Sequence, residues 1–133
     1  YRMNDVLRLS EMPCACGSPL QAVSEIVGRS DDCFLLHRAD GSPVTVTPDI
    51  VRNAVLGADR TIADFRAVQT GPADIRLCLP PPASNSQASA KLALTTLLAR
   101  LGAEASVTVS VADLPLPQGG KLRRVYRDRS LVP

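Results

Sequence analysis

Apolar and polar positions along this chain repeat with two periods, and the change from one to the other marks the elements. Tyr1–Leu9 alternates loosely and predicts a strand. Val23–Val27 is a second apolar run, Gly28–Asp32 (GRSDD) interrupts it, and Phe34–Leu36 is a third. That order predicts strand, polar joint, strand. Phe34–His37 and Val44–Thr47 predict two short strands, with Ala39-Asp40-Gly41-Ser42 as the hairpin turn between them. Thr47-Pro48-Asp49 then opens a helix, with Thr47 as N-cap, Pro48 at the first position and Asp49 in the first turn. Ile50, Val51, Ala54 and Val55 form its apolar stripe, and Gly57 ends it.

Asp64–Thr70 and Asp74–Leu79 predict two strands joined at Gly71-Pro72, and Pro80-Pro81-Pro82 stops the second. Ser86–Leu101 predicts the longest helix, because Ala90, Leu94, Leu97, Leu98 and Leu101 recur at helical spacing on one face. Gly102 caps it, and the β-branched alternation of Ala105–Val111 predicts a half-buried strand. The order β, α, β, β, α, β predicts an α+β domain. A split βαβ (ferredoxin-like) arrangement satisfies it, with an antiparallel sheet and two helices on one face, preceded by a hairpin and knuckle segment.

Composition narrows the class. A chain of 133 residues is one domain's worth and can bury a single core. Apolar content of 45% and charge of 21% are those of an ordinary soluble globule. A net charge of +2 is too small to argue for nucleic acid. No apolar run has the length of a membrane span, and the start lacks the basic-then-apolar pattern of a signal peptide. Four cysteines in that setting predict reduced thiols or a metal, and a cytoplasmic home. With 3% aromatics and no Trp, a deep aromatic pocket is not expected from this chain alone. Opening on Tyr within a structured segment points to a fragment.

Three stretches carry candidate chemistry. Cys14 and Cys16, with Gly17 after them, let two thiolates face one tetrahedral ion, half of a structural zinc site. Cys33, His37 and Cys78 are the local candidates to complete it, and residues upstream of Tyr1 are the favoured rivals. The joint offers the donor fork of Arg29 and the carboxylates of Asp31 and Asp32, a set that belongs at a surface or an interface. Gly119-Gly120 precedes Lys121, and flanking glycines let a loop approach a ligand closely. Lys121 is a flexible point charge suited to phosphate or a developing oxyanion. The arginines after Arg123 are expected to be a solvated basic tail.

Taken together, four segments in register resemble those of the adenylate-forming ligases, the superfamily of acyl-CoA synthetases and adenylation domains. GRSDD resembles the family's hinge motif, and Tyr1–Asp5 (YRMND) its Tyr-x-Thr-Gly-Asp segment, with Asn4 in place of the usual Gly. Cys14–Gly17 (CACG) resembles the Cys-x-Cys-Gly of the phenylacetate-CoA ligase branch, and Gly120–Arg123 (GKLR) the Gly-Lys-x-x-Arg near the family's C-terminus. The family's usual Glu in the helix after the hinge is missing. The resemblance implies that residues 1–28 end an N-terminal domain, 29–32 are the hinge and 33–133 are a C-terminal lid. It implies that Asp5 accepts the ribose hydroxyls of ATP with Arg29 beside the nucleotide, and that the lid turns about Arg29 and Asp31. It makes Lys121 the catalytic lysine that bridges carboxylate and α-phosphate.

The same resemblance implies ATP and Mg²⁺, a carboxylic acid, a thiol acceptor on CoA or a carrier protein, and a missing N-terminal domain as partner. Such a piece is not expected to catalyse anything alone. Two alternatives stay open: a small ferredoxin-like ligand-binding or regulatory domain, and a zinc-dependent interaction module centred on Cys14 and Cys16.

Overall fold

The computed structural model describes residues 5–29, 33–114 and 123–128, except the side chains of Asp5, Val6 and residues 27–29. Strands β1 (Asp5–Leu9) and β2 (Val23–Arg29) pair antiparallel and form a two-stranded sheet of their own. The segment between them is tied at its base, where the Ser10 N–H donates to Ala22 O at 2.9 Å and Gln21 Nε2 donates to Ser10 O at 2.8 Å.

Strands β3 (Phe34–His37) and β4 (Pro43–Val46) form a second hairpin. Its turn sits where the sequence places it. Gly41 takes φ of +80°, a conformation that favours glycine, and the Ser42 N–H donates to Asp40 Oδ1 at 2.8 Å. Helix α1 (Pro48–Ala58) follows an extended Thr47. Pro48 holds the first turn, while the Thr47 side chain makes no capping bond, so the start rests on backbone preorganisation by proline rather than on the hydroxyl. The helix runs one residue past Gly57.

Strands β5 (Arg66–Gly71) and β6 (Asp74–Leu79) form the central hairpin, and a 3₁₀ turn (Pro81–Ser86) leads into α2 (Gln87–Arg100). Gly102, at φ of +69°, ends that helix, with the Gly102 N–H donating to Ala99 O and the Ala103 N–H to Leu98 O. Strand β7 (Ser106–Val111) returns beside β6, and β8 (Val125–Arg127) lies on the far side of β5.

The α+β class is as expected, but the sheet is mixed where an antiparallel one was expected. Its order is β7-β6-β5-β8, with β6/β7 and β5/β8 parallel and β5/β6 antiparallel. The 3₁₀ turn and α2 form a crossover long enough to bring β7 back parallel to β6. Strand β4 stays with β3 rather than entering the sheet, and β8 takes the remaining edge. Helices α1 and α2 pack on each other, α2 on β7 and α1 on β8. Alternation on β6 sends Ile75, Leu77 and Leu79 inward, where they meet Ala90, Leu94 and Leu98 of α2 and Val51 and Val55 of α1 in one cluster.

Gln69 fastens the β3–β4 hairpin to this sheet. It is buried, accepts the Leu35 N–H at 2.9 Å and donates to Leu35 O at 2.8 Å. One side-chain amide thereby replaces a ladder step that the two sheets could not otherwise make.

Candidate functional site

The residues singled out at the two ends of the first hairpin come together. Across the β1–β2 ladder, Asp5 stands opposite Arg29 and Val6 opposite Gly28. The last residue of YRMND and the first two of GRSDD are thus brought to the same end of the hairpin. Register shifts between Val6 and Leu7 and between Arg8 and Leu9 adjust the pleat along the way. The orientation of the Asp5 and Arg29 side chains, and Asp31 of the joint altogether, lie outside the described residues.

Lys121 also lies outside the described residues, as do Gly119 and Gly120. The chain on either side of residues 115–122 is defined. Upstream, the Ala112 N–H donates to Leu79 O at 3.1 Å, just beyond β7. Downstream, the Arg124 carbonyl accepts the Ala67 N–H at 2.7 Å and its Nε donates to Asp64 Oδ1 at 2.8 Å. Asp64 also accepts from Arg66 Nη1, at 3.1 and 3.2 Å on its two oxygens. Burial raises the Asp64 carboxyl's pKa, but the Phe65 N–H and the Arg66 and Arg124 guanidiniums outweigh it, so the net shift is below the usual carboxylate value.

The expectation of a solvated basic tail is therefore corrected at Arg124, which is partly buried and ion-paired. Arg123 stacks over the Tyr126 ring at 5.6 Å, and Arg123, Tyr126, Arg127 and Asp128 line a cleft of about 390 Å³. Alternation from the buried Val125 could have indicated this, since a strand that opens on an inward valine holds the residues after it on fixed faces.

Cys14 and Cys16 sit in the turn at the tip of the first hairpin. The Gly17 N–H donates to Cys14 O at 3.0 Å, and Gly17 has φ of +77°. The two sulfurs are 2.9 Å apart. Cys33 is buried in the body, Cys78 lies on β6 and His37 on β3. Among the described residues no third His, Cys, Asp or Glu joins the pair as a metal ligand. No helix among them is long and apolar enough to cross a membrane.

Neither family models nor curated proteins match this chain. Solved structures do. The chain is similar in fold to 2-hydroxyisobutyryl-CoA ligase in its postadenylation state, in complex with R3-HIB-AMP, with a TM-score of 0.53 and 20% identity over 96% of this chain. The same ligase in complex with 2-HIB-AMP gives a TM-score of 0.52 at 20% identity. In both comparisons the chain spans 28% of the ligase's length.

Proposed function

We propose that this chain is the C-terminal part of an ATP-dependent, adenylate-forming ligase that activates a carboxylic acid as an acyl adenylate and passes it to a thiol of CoA or a carrier protein. The observation that carries this is the cross-strand placement of Asp5 opposite Arg29, which unites two motif segments distant in the chain. The fold likeness to an acyl-CoA ligase supports it. In this account residues 1–28 complete an N-terminal domain, 29–32 are the hinge and 33–133 are the lid. The phenylacetate-CoA ligase branch rests on the CACG turn alone. A cytoplasmic site of action follows from the ATP and thiol chemistry.

In the first half-reaction a substrate carboxylate oxygen attacks the α-phosphorus of ATP and pyrophosphate leaves. Lys121 stabilises the charge gathering between the two oxyanions, as a positioned cation does where solvent is excluded. Asp5 accepts the ribose hydroxyls, and Arg29 holds the nucleotide near the joint. Mg²⁺, when bound, neutralises charge on the triphosphate. In the second half-reaction the thiol sulfur attacks the acyl carbon and AMP leaves. The lid turns about Asp31 between the two, because one crowded site cannot hold both donor sets.

The test is Lys121→Ala in the intact enzyme. Pyrophosphate exchange should fall by about a hundredfold or more, while thioester formation from preformed adenylate continues. Unchanged exchange would remove Lys121 from the mechanism.

A further inference from the structure

Strand β7 is an outer strand of the four-stranded sheet, with β6 on one side and, among the described residues, no strand on the other. The Ser106 N–H donates to Ala73 O at 2.7 Å and the Ala112 N–H to Leu79 O at 3.1 Å, and the register with β6 runs unbroken between them. Alternate residues therefore bond to β6, and Val107, Val109 and Val111 turn their N–H and C=O groups to the open edge. Natural sheet edges are blunted by charge, by proline or by shortness. At the opposite edge β8 has three residues and carries Arg127, and in its own hairpin β4 has four and opens on Pro43. Strand β7 has six residues, SVTVSV, with no charge and no proline. Val107 is buried, Val109 packs partly buried against the core and Val111 is 36% exposed, while Thr108 and Ser110 are exposed. One face of the edge is thus apolar and the other carries hydroxyls.

We propose that β7 is a self-association edge whose occupant is the β7 of a second copy of this chain, paired antiparallel about a two-fold axis at Val109. The strand's own symmetry singles out that occupant. Val107–Val111 reads VTVSV, a pattern that is the same in either direction, as a two-fold pairing requires. With Val109 opposite its own copy, Val107 stands opposite Val111 of the second copy, and Val111 opposite its Val107. Every residue that faces the edge then meets one that faces it too, and each such pair exchanges both N–H···O=C bonds. Between them Thr108 stands opposite Ser110 of the second copy, a hydroxyl pair suited to cross-strand hydrogen bonding. The valines share a face, so the part-exposed Val111 gains a β-branched neighbour. No charge lies on the paired residues to repel its own image. An isologous contact of this kind uses up the edge in both copies, so assembly stops at two. The paired strip is small beside a standard interface, so the dimer is weak and its population rises with concentration. This inference does not rest on the ligase reading and is tested without ATP.

The experiment follows the 133-residue chain by sedimentation equilibrium over a concentration series. The mean mass should climb from the 14.1 kDa of one chain toward twice that value by about 0.5 mM, and no further. Val111→Pro removes a donor that faces the open edge and none that bonds to β6, so it should weaken association about tenfold or more while circular dichroism stays unchanged. Ser110→Lys leaves every backbone donor in place, sets a charge on the exposed face of the edge, and should weaken association in the same direction. Leu9→Glu, on the exposed first hairpin, should leave it intact. By amide exchange, Val107, Val109 and Val111 should gain protection as concentration rises, while Thr108 and Ser110, already bonded to β6, should not. A chain that stays monomeric throughout the series, or a dimer that survives both β7 substitutions, would overturn the proposal. So would a dimer lost in Leu9→Glu, which would place the contact on the hairpin, or growth past two copies.

Discussion

The first hairpin and the body that follows it are built on opposite terms. In the body, strands and helices close on one cluster in which Phe34, Phe65, Leu36, Leu77 and Leu94 are fully buried. The hairpin is a single layer. Its register places Leu7 opposite Ile26 and Leu9 opposite Val23, with Arg8 opposite Glu25 as an exposed ion pair at 2.9 Å. Those four apolar side chains remain 42 to 75% exposed, as do Met12 and Leu20 at 73 and 78%. A two-stranded hairpin alone is marginal in water, and an exposed contiguous apolar patch of this kind marks a surface made to be covered. The contrast teaches that one region folds on its own core, while the other carries a sequence suited to a surface the described residues do not supply. In the proposed ligase that surface belongs to the N-terminal domain.

Substitutions can break or sharpen this contrast. The largest effect is expected at Leu94, where Leu94→Ala leaves a cavity beneath α2 and should cost about 2–5 kcal/mol in urea unfolding followed by circular dichroism. Gln69→Leu comes next. It strips the Leu35 N–H and carbonyl of their buried partner, and about 2–3 kcal/mol is expected by the same measurement.

Asp64→Asn is expected to cost less, about 1 kcal/mol at neutral pH, because the carboxylate is only partly buried. Its pH dependence is diagnostic. The folded carboxyl's pKa lies below its ordinary value, so its contribution is fully present above the ordinary carboxylate range. That contribution is lost as pH falls through the lowered folded value, and the variant should show a flatter acid limb. The smallest effect is expected on the hairpin. Leu9→Ala should stay within about 0.5 kcal/mol in the 133-residue chain, since half of that side chain is already in water.

Much of the body was legible in the sequence, because its elements announce themselves locally. The α2 stripe, the Gly41 turn and the Gly102 end each follow from spacing or from one glycine. The sheet order was not legible. Parallel pairing of β7 on β6 and the capture of β8 by β5 depend on how a crossover packs, which no local period encodes. Gln69 is an ordinary polar residue until Leu35 is found beside it, and Asp64 meets Arg124 only through the fold. Of the candidate site, the approach of Asp5 to Arg29 required the register, while Asp31 and Lys121 rest on their motifs.

Amide hydrogen exchange, compared between the 133-residue chain and the intact enzyme of which it is proposed to be part, tests the central contrast most directly. In the chain, amides of β5, β6 and α2 should be protected to the level of global unfolding, while those of β1 and β2 exchange at least about a hundredfold faster and gain protection only in the intact protein. Equal protection of β1–β2 and β6 in the 133-residue chain would contradict it.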